Sequence, residues 1–173
     1  QVGDIQEHML NFLENHDEQR IASSFFAGHA QKGIPALLVS ALMNTNPMMV
    51  YFGQALGEPG MENEGFSGLD GRTSIFDYWS IETIRQWNDK GRWGNVGLSK
   101  ESLKIRRFYQ DVLGKICKEK AVSEGRFFDL MYANLDNPDC HTEKVFAFIR
   151  SCETEHIFFI INFDHQPLQQ KIT

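Results

Sequence analysis

Cysteine is scarce in this chain, with three residues among 173. Cys117, Cys140 and Cys152 lie 23 and 12 residues apart, and these spacings match no metal-binding motif. Because three is an odd number, a fully paired disulfide framework is not expected, and buried free thiols are the favoured interpretation. The six histidines are scattered, so the sequence predicts no zinc site.

Long apolar runs and an excess of positive charge are missing as well. No apolar segment reaches the roughly 18 residues that a membrane-spanning helix requires. The net charge is −6, from 17 Lys and Arg against 23 Asp and Glu. This balance argues against nucleic acid as a partner, because nucleic acid calls for a basic face. The hydrophobic fraction of 42%, with 14 Phe, is enough to bury a core.

The first part of the chain has the pattern of a strand, a helix and a second strand. Residues 9–13 form a short apolar run bounded by polar residues, which is typical of a buried strand. Pro35 suits a first helical turn, and Leu38 and Leu42 follow at helical spacing. A second apolar run covers residues 47–52. We therefore expect a βαβ unit, with the two strands side by side and parallel and a right-handed crossover between them.

Polar residues follow the first strand at its C-terminal end. The sequence there reads Asn15-His16-Asp17, with Arg20 three residues later. In a (β/α)8 barrel this end of a strand opens into the mouth of the active site. A His and an Asp at that place can bind vicinal sugar hydroxyls, and the Asp can oppose developing positive charge. The structural alternative is that Asp17 caps the segment after it and His16 is a satisfied surface histidine.

The segment from Phe12 to Arg20 resembles the fourth conserved region of the α-amylase family, glycoside hydrolase family 13. The family pattern is Phe-x-x-Asn-His-Asp with a His-Asp-x-x-Arg extension, and both parts are present. The resemblance implies that Asp17 is the third active-site carboxylate, a transition-state stabiliser, with His16 beside it. It also implies that Asn15 and Arg20 bind substrate.

A second resemblance begins 30 residues after Asp17. Residues 47–54, which end in Tyr-Phe-Gly-Gln, look like the eighth strand of the same family, where an apolar strand ends in Tyr-x-Gly-Gln-Glu. Ala55 stands where the family usually has Glu, which puts the subsite contacts of this loop in doubt but not the fold. Glu58 follows three residues later and is expected to be solvated. The two ordered motifs indicate strands 7 and 8 of a (β/α)8 TIM barrel with their helices.

A long segment rich in turn-forming residues, 54–98, follows the second strand and is expected at the catalytic mouth. Its Asp70-Gly-Arg72 sequence, with Asp77, resembles an Asp-Gly-Arg-x-x-x-x-Asp element of many α-glucoside-cleaving relatives. In a functional interpretation, Asp70 and Arg72 bind sugar hydroxyls of the substrate, and Trp79 or Tyr78 stacks on a pyranose face. Alternatively, Asp70 and Arg72 form an ion pair that pins the loop, and Trp79 packs beneath it.

The last part of the chain changes from a helical to a β pattern. Residues 99–118 have the period of an amphipathic helix with Ser99 as its N-cap, which would be the eighth barrel helix. The fold class is therefore α/β: the C-terminal portion of a (β/α)8 barrel over residues 1–120, then an antiparallel all-β C-terminal domain over 121–173. The expected strands of that domain are 127–133, 144–150, 156–163 and 168–173, with residues 157–161 in a central strand.

The resemblance also implies what lies elsewhere. The family's Asp nucleophile and Glu general acid follow earlier strands, and the 16 residues before Asp17 cannot hold them. The chain is therefore expected to be a C-terminal fragment of a retaining glycoside hydrolase acting on α-glucans or maltooligosaccharides. It would be inactive alone and would have the missing N-terminal part of the barrel as its partner.

No cofactor is expected in this chain, and the parent enzyme could bind Ca²⁺, which the family mostly holds in a domain that this chain lacks. Two further interpretations stay open from the sequence. One is a transglycosylase of the same family, which differs in water access and acceptor subsites. The other is a non-catalytic carbohydrate-binding or scaffold protein.

Overall fold

The computed structural model describes residues 3–61, 68–73, 80–116 and 118–173. The described strands are β1 (Asn11–Phe12), β2 (Met48–Met49), β3 (Arg126–Asp129), β4 (Val145–Ser151) and β5 (His156–Asn162). The described α-helices are α1 (Ile34–Leu42), α2 (Glu82–Asn88), α3 (Lys100–Ile116) and α4 (Lys120–Ser123). The chain divides into two compact units: unit 1 comprises Gln1–Asn11, Pro35–Met48 and Leu113–Thr173, and unit 2 comprises Phe12–Ile34 and Met49–Val112. The domain boundary at residue 120 stays a prediction.

Helix α1 lies where the sequence predicted it. It begins at Ile34, and Pro35 occupies the first turn, where its missing N–H would have no intrahelical partner in any case. Leu37, Ala41 and Leu42 are buried, at the helical spacing that the apolar pattern indicated. The predicted helix between two strands is therefore confirmed.

Strands β1 and β2 are neighbours in a two-stranded sheet. The backbone N–H of Asn11 donates to the carbonyl oxygen of Pro47 at 2.8 Å. The Asn11 side chain donates to the Ser40 carbonyl at 3.2 Å and to Asn44 Oδ1 at 3.1 Å, which ties the strand to the C-terminal end of α1. The predicted pairing is confirmed, in strands shorter than the apolar runs. The expected burial of the first strand is wrong, because Met9, Leu10 and Phe12 are 45%, 47% and 44% exposed. The parallel direction and the barrel stay predictions.

The three-stranded sheet of unit 1 is antiparallel, in the order β3–β4–β5. Arg126 of β3 pairs with Ser151 of β4, and Val145 of β4 pairs with Asn162 of β5. The prediction that residues 157–161 form the central strand is wrong, because β4 lies in the centre and β5 at an edge of the described sheet.

Burial explains this strand order. β4 buries Val145, Ala147 and Phe148, whereas Phe158 and Ile160 of β5 are 50% and 51% exposed. β5 carries apolar residues on both faces, but only one face is covered within the described residues. The buried core cluster of unit 1 is Ala41, Leu42, Val122, Phe148 and Ile161.

The predicted strand at residues 168–173 is absent from the described secondary structure, so this prediction is wrong. The amide of Asn134, which is fully buried, bonds both backbone groups of Thr173: Oδ1 accepts at 3.0 Å and Nδ2 donates at 3.1 Å. Asn137 Nδ2 donates to the Lys171 carbonyl at 2.8 Å. Side-chain amides therefore satisfy this backbone where the sequence predicted a neighbouring strand.

Helix α3, most of which belongs to unit 2, confirms the helix predicted at residues 99–118. Ser99 Oγ accepts the N–H of Ser102 at 3.0 Å, as an N-cap should. Helix α2 lies in the segment 54–98, which was expected to be loop, so that expectation is corrected. Ile81 and Ile84, three residues apart, are buried and supply the apolar face that makes this short helix stable.

Two of the three cysteines fall in the described ranges. Cys140 is a buried free thiol, as expected, whereas Cys152 is a free thiol that is only partly buried. Cys117 lies outside the described residues. Among the helices of the described ranges, none combines the length and the apolar character needed to cross a bilayer.

Tyr109 on α3 gives unit 2 a measurable dependence on alkaline pH. Burial raises the pKa of its phenol to about 12, an effect partly offset by the bond that Gln54 Nε2 donates at 2.8 Å. The unfolded chain loses this proton near about pH 10, and the folded chain holds it to about pH 12. The free energy of unfolding should therefore fall by about 2 to 3 kcal/mol from this group as pH rises through that window. Urea unfolding at several pH values would measure the fall. Tyr109→Phe, as the control, should lack this part of the slope, and equal slopes in the two proteins would contradict the prediction.

Candidate functional site

The chain turns at Asn15, three residues after the end of β1. Asn15 Oδ1 accepts the backbone N–H of Asp17 at 2.8 Å and that of Glu18 at 2.9 Å. In such an Asx turn a side chain supplies the acceptor that the backbone lacks. Asn15 therefore provides the cap, and the carboxylate of Asp17 is not used for this purpose.

His16 and Asp17 lie side by side on this turn. His16 Nε2 is 3.4 Å from Asp17 Oδ2, and the two side chains are 43% and 65% exposed. A carboxylate accepts hydrogen bonds from several donors, and a neutral imidazole offers one donor and one acceptor. The pair can therefore bind hydroxyl groups of a ligand that approaches from solvent.

Beneath this turn lies a buried ion pair between Glu14 and Arg20, which are 2% and 0% exposed. Arg20 Nη1 donates to Glu14 Oε2 at 2.7 Å, and the Ile21 N–H donates to Glu14 Oε1 at 2.8 Å. Burial raises the pKa of the Glu14 carboxyl, although the Arg20 charge and the Ile21 N–H partly offset this effect. Glu14 is thus a strongly desolvated carboxylate held by two donors.

Other donors of Arg20 also bond protein groups. Its Nε donates to Thr73 Oγ1 at 2.8 Å, its Nη2 donates to the Phe52 carbonyl, and its backbone N–H donates to the Gly71 carbonyl at 2.7 Å. Its guanidinium carbon lies 4.5 Å from the centre of the Tyr51 ring. Direct substrate binding by Arg20 stays a prediction, whereas its visible contacts connect three segments of unit 2.

Asp70 and Arg72 form the ion pair that the structural alternative described. Arg72 Nη1 is 3.1 Å from Asp70 Oδ2, and the Arg72 N–H donates to Asp70 Oδ1 at 3.0 Å. Arg72 Nε donates to the Asp17 carbonyl at 2.6 Å, and Gln19 Nε2 donates to the Asp70 carbonyl at 2.9 Å. The loop is therefore pinned to the His16–Asp17 turn. With side chains 18% and 35% exposed, the pair also borders the solvent side of that turn.

Glycine is required at position 71 of this loop. Gly71 has φ +85°, and a Cβ there would lie 2.4 Å from Ser23 Oγ and 3.2 Å from Ser23 Cβ. Both the left-handed backbone and the close approach exclude a side chain. The loop can therefore pass close enough to Ser23 for the Gly71 carbonyl to meet the Arg20 N–H.

All six predicted site residues lie in unit 2, and the structure brings most of them together. The Asn15-His16-Asp17 turn contacts Arg72 directly and Asp70 through Arg72 and Gln19. Arg20 lies buried behind the turn. The last Asp of the loop element and the two aromatic residues after it, Asp77, Tyr78 and Trp79, lie outside the described residues. Catalytic and substrate-binding roles for these residues stay predictions.

Sequence reasoning missed Glu14 as part of this site. The available signal was a Glu just before the motif and an Arg six residues later, but a separation of six matches neither a helical nor a strand period. Glu58, expected to be solvated, is 3% exposed and accepts bonds from the Gly60 N–H at 2.8 Å and the Thr83 hydroxyl. Both buried glutamates depend on long-range contacts that no local pattern encodes.

Within the described ranges, no three His, Cys, Asp or Glu side chains are grouped so that they could hold a metal ion. Glu14 and Asp70 are paired with Arg20 and Arg72, and the exposed Asp17 lies against His16. Calcium in the parent protein stays a prediction.

No protein-family model matches the sequence, and no curated protein matches it. Among solved structures, AmyP in complex with maltose is similar, with a TM-score of 0.58 and 16% identity over 89% of this chain and 30% of AmyP. A mutant of the trehalulose synthase MutB has a TM-score of 0.49 and 19% identity over 89% of this chain and 34% of MutB. The noncanonic maltogenic α-amylase AmyB from Thermotoga neapolitana has a TM-score of 0.47 and 17% identity over 90% of this chain and 28% of AmyB.

The chain spans about a third of the length of the structures that it matches. At 16% identity, the similarity to AmyP concerns the fold. The fold of this chain is therefore similar to that of part of AmyP, in agreement with the resemblance that the two sequence motifs carry, and membership of glycoside hydrolase family 13 stays what those motifs imply.

Proposed function

We propose that this chain is the C-terminal part of a retaining glycoside hydrolase that acts on α-glucans or maltooligosaccharides. In this proposal Asp17 is the third active-site carboxylate, and the preceding part of the parent protein supplies the nucleophile and the general acid. The observation that carries it is the Asp17 carboxylate, 65% exposed on a turn whose backbone is held by Asn15 and Arg72. A fixed and accessible carboxylate is what recognition of a sugar in a strained geometry requires.

The chemistry follows from the charge that develops during glycosidic cleavage. Retaining hydrolysis passes through an oxocarbenium-like transition state, in which positive charge builds on the sugar ring. The Asp17 carboxylate opposes that charge and accepts hydrogen bonds from ring hydroxyls, while His16 binds a neighbouring hydroxyl. Asp70 and Arg72 hold the turn from behind, and their exposed parts lie within reach of a sugar bound beside it.

The experiment compares the parent protein with the 173-residue chain on maltoheptaose, with proton NMR of the first products. The parent protein should release products whose new reducing end is the α-anomer, because double displacement retains configuration. The chain alone should release no reducing sugar above background, because one carboxylate cannot both attack the bond and protonate the leaving group.

Release of the β-anomer by the parent, or hydrolysis by the purified chain at a rate near that of the parent, would contradict the proposal. Longer oligosaccharides in place of shorter ones would indicate a transglycosylase. Binding of maltoheptaose without turnover would indicate a carbohydrate-binding protein.

A further inference from the structure

We propose that the buried ion pair of Glu14 and Arg20 is a positioning element that sets the place of the Asp17 carboxylate. This inference rests on the proposed function, in which Asp17 faces the reacting sugar. It assigns to Glu14 a role that neither sequence motif requires, and it assigns to Arg20 an indirect role. Neither side chain touches the sugar in this account, and both act through the backbone of the turn.

The ion pair joins the two ends of the segment that carries the Asn15-His16-Asp17 motif. Glu14 precedes residues 15–19 and Arg20 follows them. The Glu14 carboxylate spans this gap with two bonds, to Arg20 Nη1 at 2.7 Å and to the Ile21 N–H at 2.8 Å. Because both carboxylate oxygens accept a bond, Glu14 fixes the relative orientation of the two ends of the segment as well as the distance between them.

Arg20 connects this closure to the surrounding framework. Its guanidinium donates to Thr73 Oγ1 and the Phe52 carbonyl and stacks over the Tyr51 ring, and its backbone N–H donates to the Gly71 carbonyl. Residues 51 and 52 follow β2, and residues 71–73 belong to the pinned loop. One planar cation with donors in fixed directions therefore sets three backbone segments in register, which an ammonium cannot do.

The Asp17 carboxylate has no buried anchor of its own among the described residues. Its His16 contact is exposed, and its backbone is held by Asn15 Oδ1 and Arg72 Nε. The position of the Asp17 carboxylate therefore depends on the backbone of the turn. That backbone depends in turn on the Glu14–Arg20 ion pair at its two ends. A displacement of about 1 Å at a reacting centre can lower a rate by about 100-fold.

The burial of Arg20 does not by itself require a carboxylate partner such as Glu14. Arg150 in unit 1 is equally buried, and among the described residues its guanidinium donates to the backbone carbonyls of Met43, Ala121, Val122 and Gly125 and to no carboxylate. This chain can thus bury an arginine without a carboxylate partner. Since a buried ion pair often adds little net stability over apolar residues, a role in fixing geometry accounts better for the pair.

The test uses the parent protein with four variants: Glu14→Gln, the double variant Glu14→Met/Arg20→Met, Glu58→Gln and Asp17→Asn. The double variant removes both charges together, so that it keeps the protein folded if a single change does not. Glu58→Gln is the control, since Glu58 is an equally buried glutamate of unit 2 that accepts bonds from the Gly60 N–H and the Thr83 hydroxyl. Its charge acts on the Glu14 carboxyl, but it forms no ion pair with Arg20 among the described contacts, so this variant removes a nearby buried charge and leaves the Glu14–Arg20 pair in place. The readouts are kcat and KM on maltoheptaose, a thermal melt, and amide hydrogen exchange.

Glu14→Gln and the double variant should lower kcat by about 10- to 100-fold and change KM by less than about threefold, because the misplaced group acts mainly in the transition state. The amides of Asp17 and Glu18 should exchange at least about tenfold faster in both, because the turn opens more often. Glu58→Gln should keep kcat within about twofold of the parent and leave the exchange of these amides unchanged.

Parental kcat in a folded Glu14→Gln or double variant, beside a low kcat in Asp17→Asn, would overturn the inference and leave the proposed function standing. Unchanged exchange of the Asp17 and Glu18 amides would overturn it as well. Parental kcat in Asp17→Asn would instead remove the proposed function, and the positioning role in catalysis would fall with it.

Discussion

Replacing Asp17 with asparagine should lower kcat of the parent protein by about 10²- to 10³-fold while the protein stays folded. Asparagine keeps the size of the side chain and part of its hydrogen bonding, but it removes the negative charge. That charge matters most when positive charge has built on the sugar, so kcat and kcat/KM should both fall. The loss corresponds to about 3 to 4 kcal/mol of transition-state stabilisation.

The fold should tolerate this change, because the Asp17 side chain is 65% exposed and its contact with His16 Nε2 is 3.4 Å long. The bonds that hold the turn use the Asp17 backbone, which asparagine retains. A thermal melt should therefore coincide with that of the parent within about 2 °C, as for most exposed substitutions.

His16→Ala serves as the comparison, since it removes one hydrogen-bonding ring next to the same carboxylate. It should raise KM more than it lowers kcat, because a neutral imidazole offers one bond to a hydroxyl in both the ground and transition states. Steady-state kinetics on a maltooligosaccharide would measure both variants. Near-parental kcat in Asp17→Asn, or activity lost only through unfolding, would show that Asp17 has no catalytic role.

Local patterns predicted the two longest described helices, α1 and α3, but not the short helices α2 and α4. α1 has a proline in its first turn and buried residues at helical spacing, and α3 has a serine N-cap followed by an amphipathic face. Each of these signals lies within a few residues of the element that it predicts, and tertiary contacts did not override them. The short helix α2 was missed because turn-forming glycines around it masked an Ile81, Ile84 spacing that spans only one turn.

The β-structure shows where local patterns stop. Residues 157–161 are apolar on both faces, and such a run favours a central strand. The structure leaves Phe158 and Ile160 about half exposed, because the layer that covers one face of the sheet is absent from the other among the described residues. Strand order depends on which element packs where, and period alone does not contain that information.

The candidate site divides in the same way. The Asn15-His16-Asp17 turn was found because its residue types are unusual at a strand end, and the Asp70–Arg72 ion pair was one of two interpretations of a short motif. The Glu14–Arg20 pair was not found, because its partners come from three separate segments and its purpose is visible only when burial is known. Residues that position other residues are therefore the hardest to recognise from a sequence.

Replacing Arg150 with methionine should lower the free energy of unfolding by about 3 to 5 kcal/mol, with little effect on the site in unit 2. Arg150 is 1% exposed, and burial lowers the pKa of its guanidinium, which nevertheless stays charged at neutral pH. It donates to Met43 O at 2.6 Å, Ala121 O at 3.2 Å, Val122 O at 2.8 Å and Gly125 O at 2.7 Å. Methionine fills similar space but leaves four carbonyl oxygens without this donor, and each buried orphaned acceptor costs about 1 to 3 kcal/mol.

The loss should stay below the sum of these costs, because water can reach the carbonyls nearest the surface. Arg150→Lys should lose an intermediate amount, since one ammonium cannot reach acceptors spread around a planar fork. Arg126→Met is the control: Arg126 is an exposed arginine on the neighbouring strand β3, and its loss should change the free energy of unfolding by less than about 0.5 kcal/mol. Urea unfolding of the three variants would measure the differences. If the free energy of unfolding of Arg150→Met were within about 1 kcal/mol of that of the unmodified protein, the four bonds to carbonyl oxygens would contribute little to stability. The burial of this cation would then need another explanation.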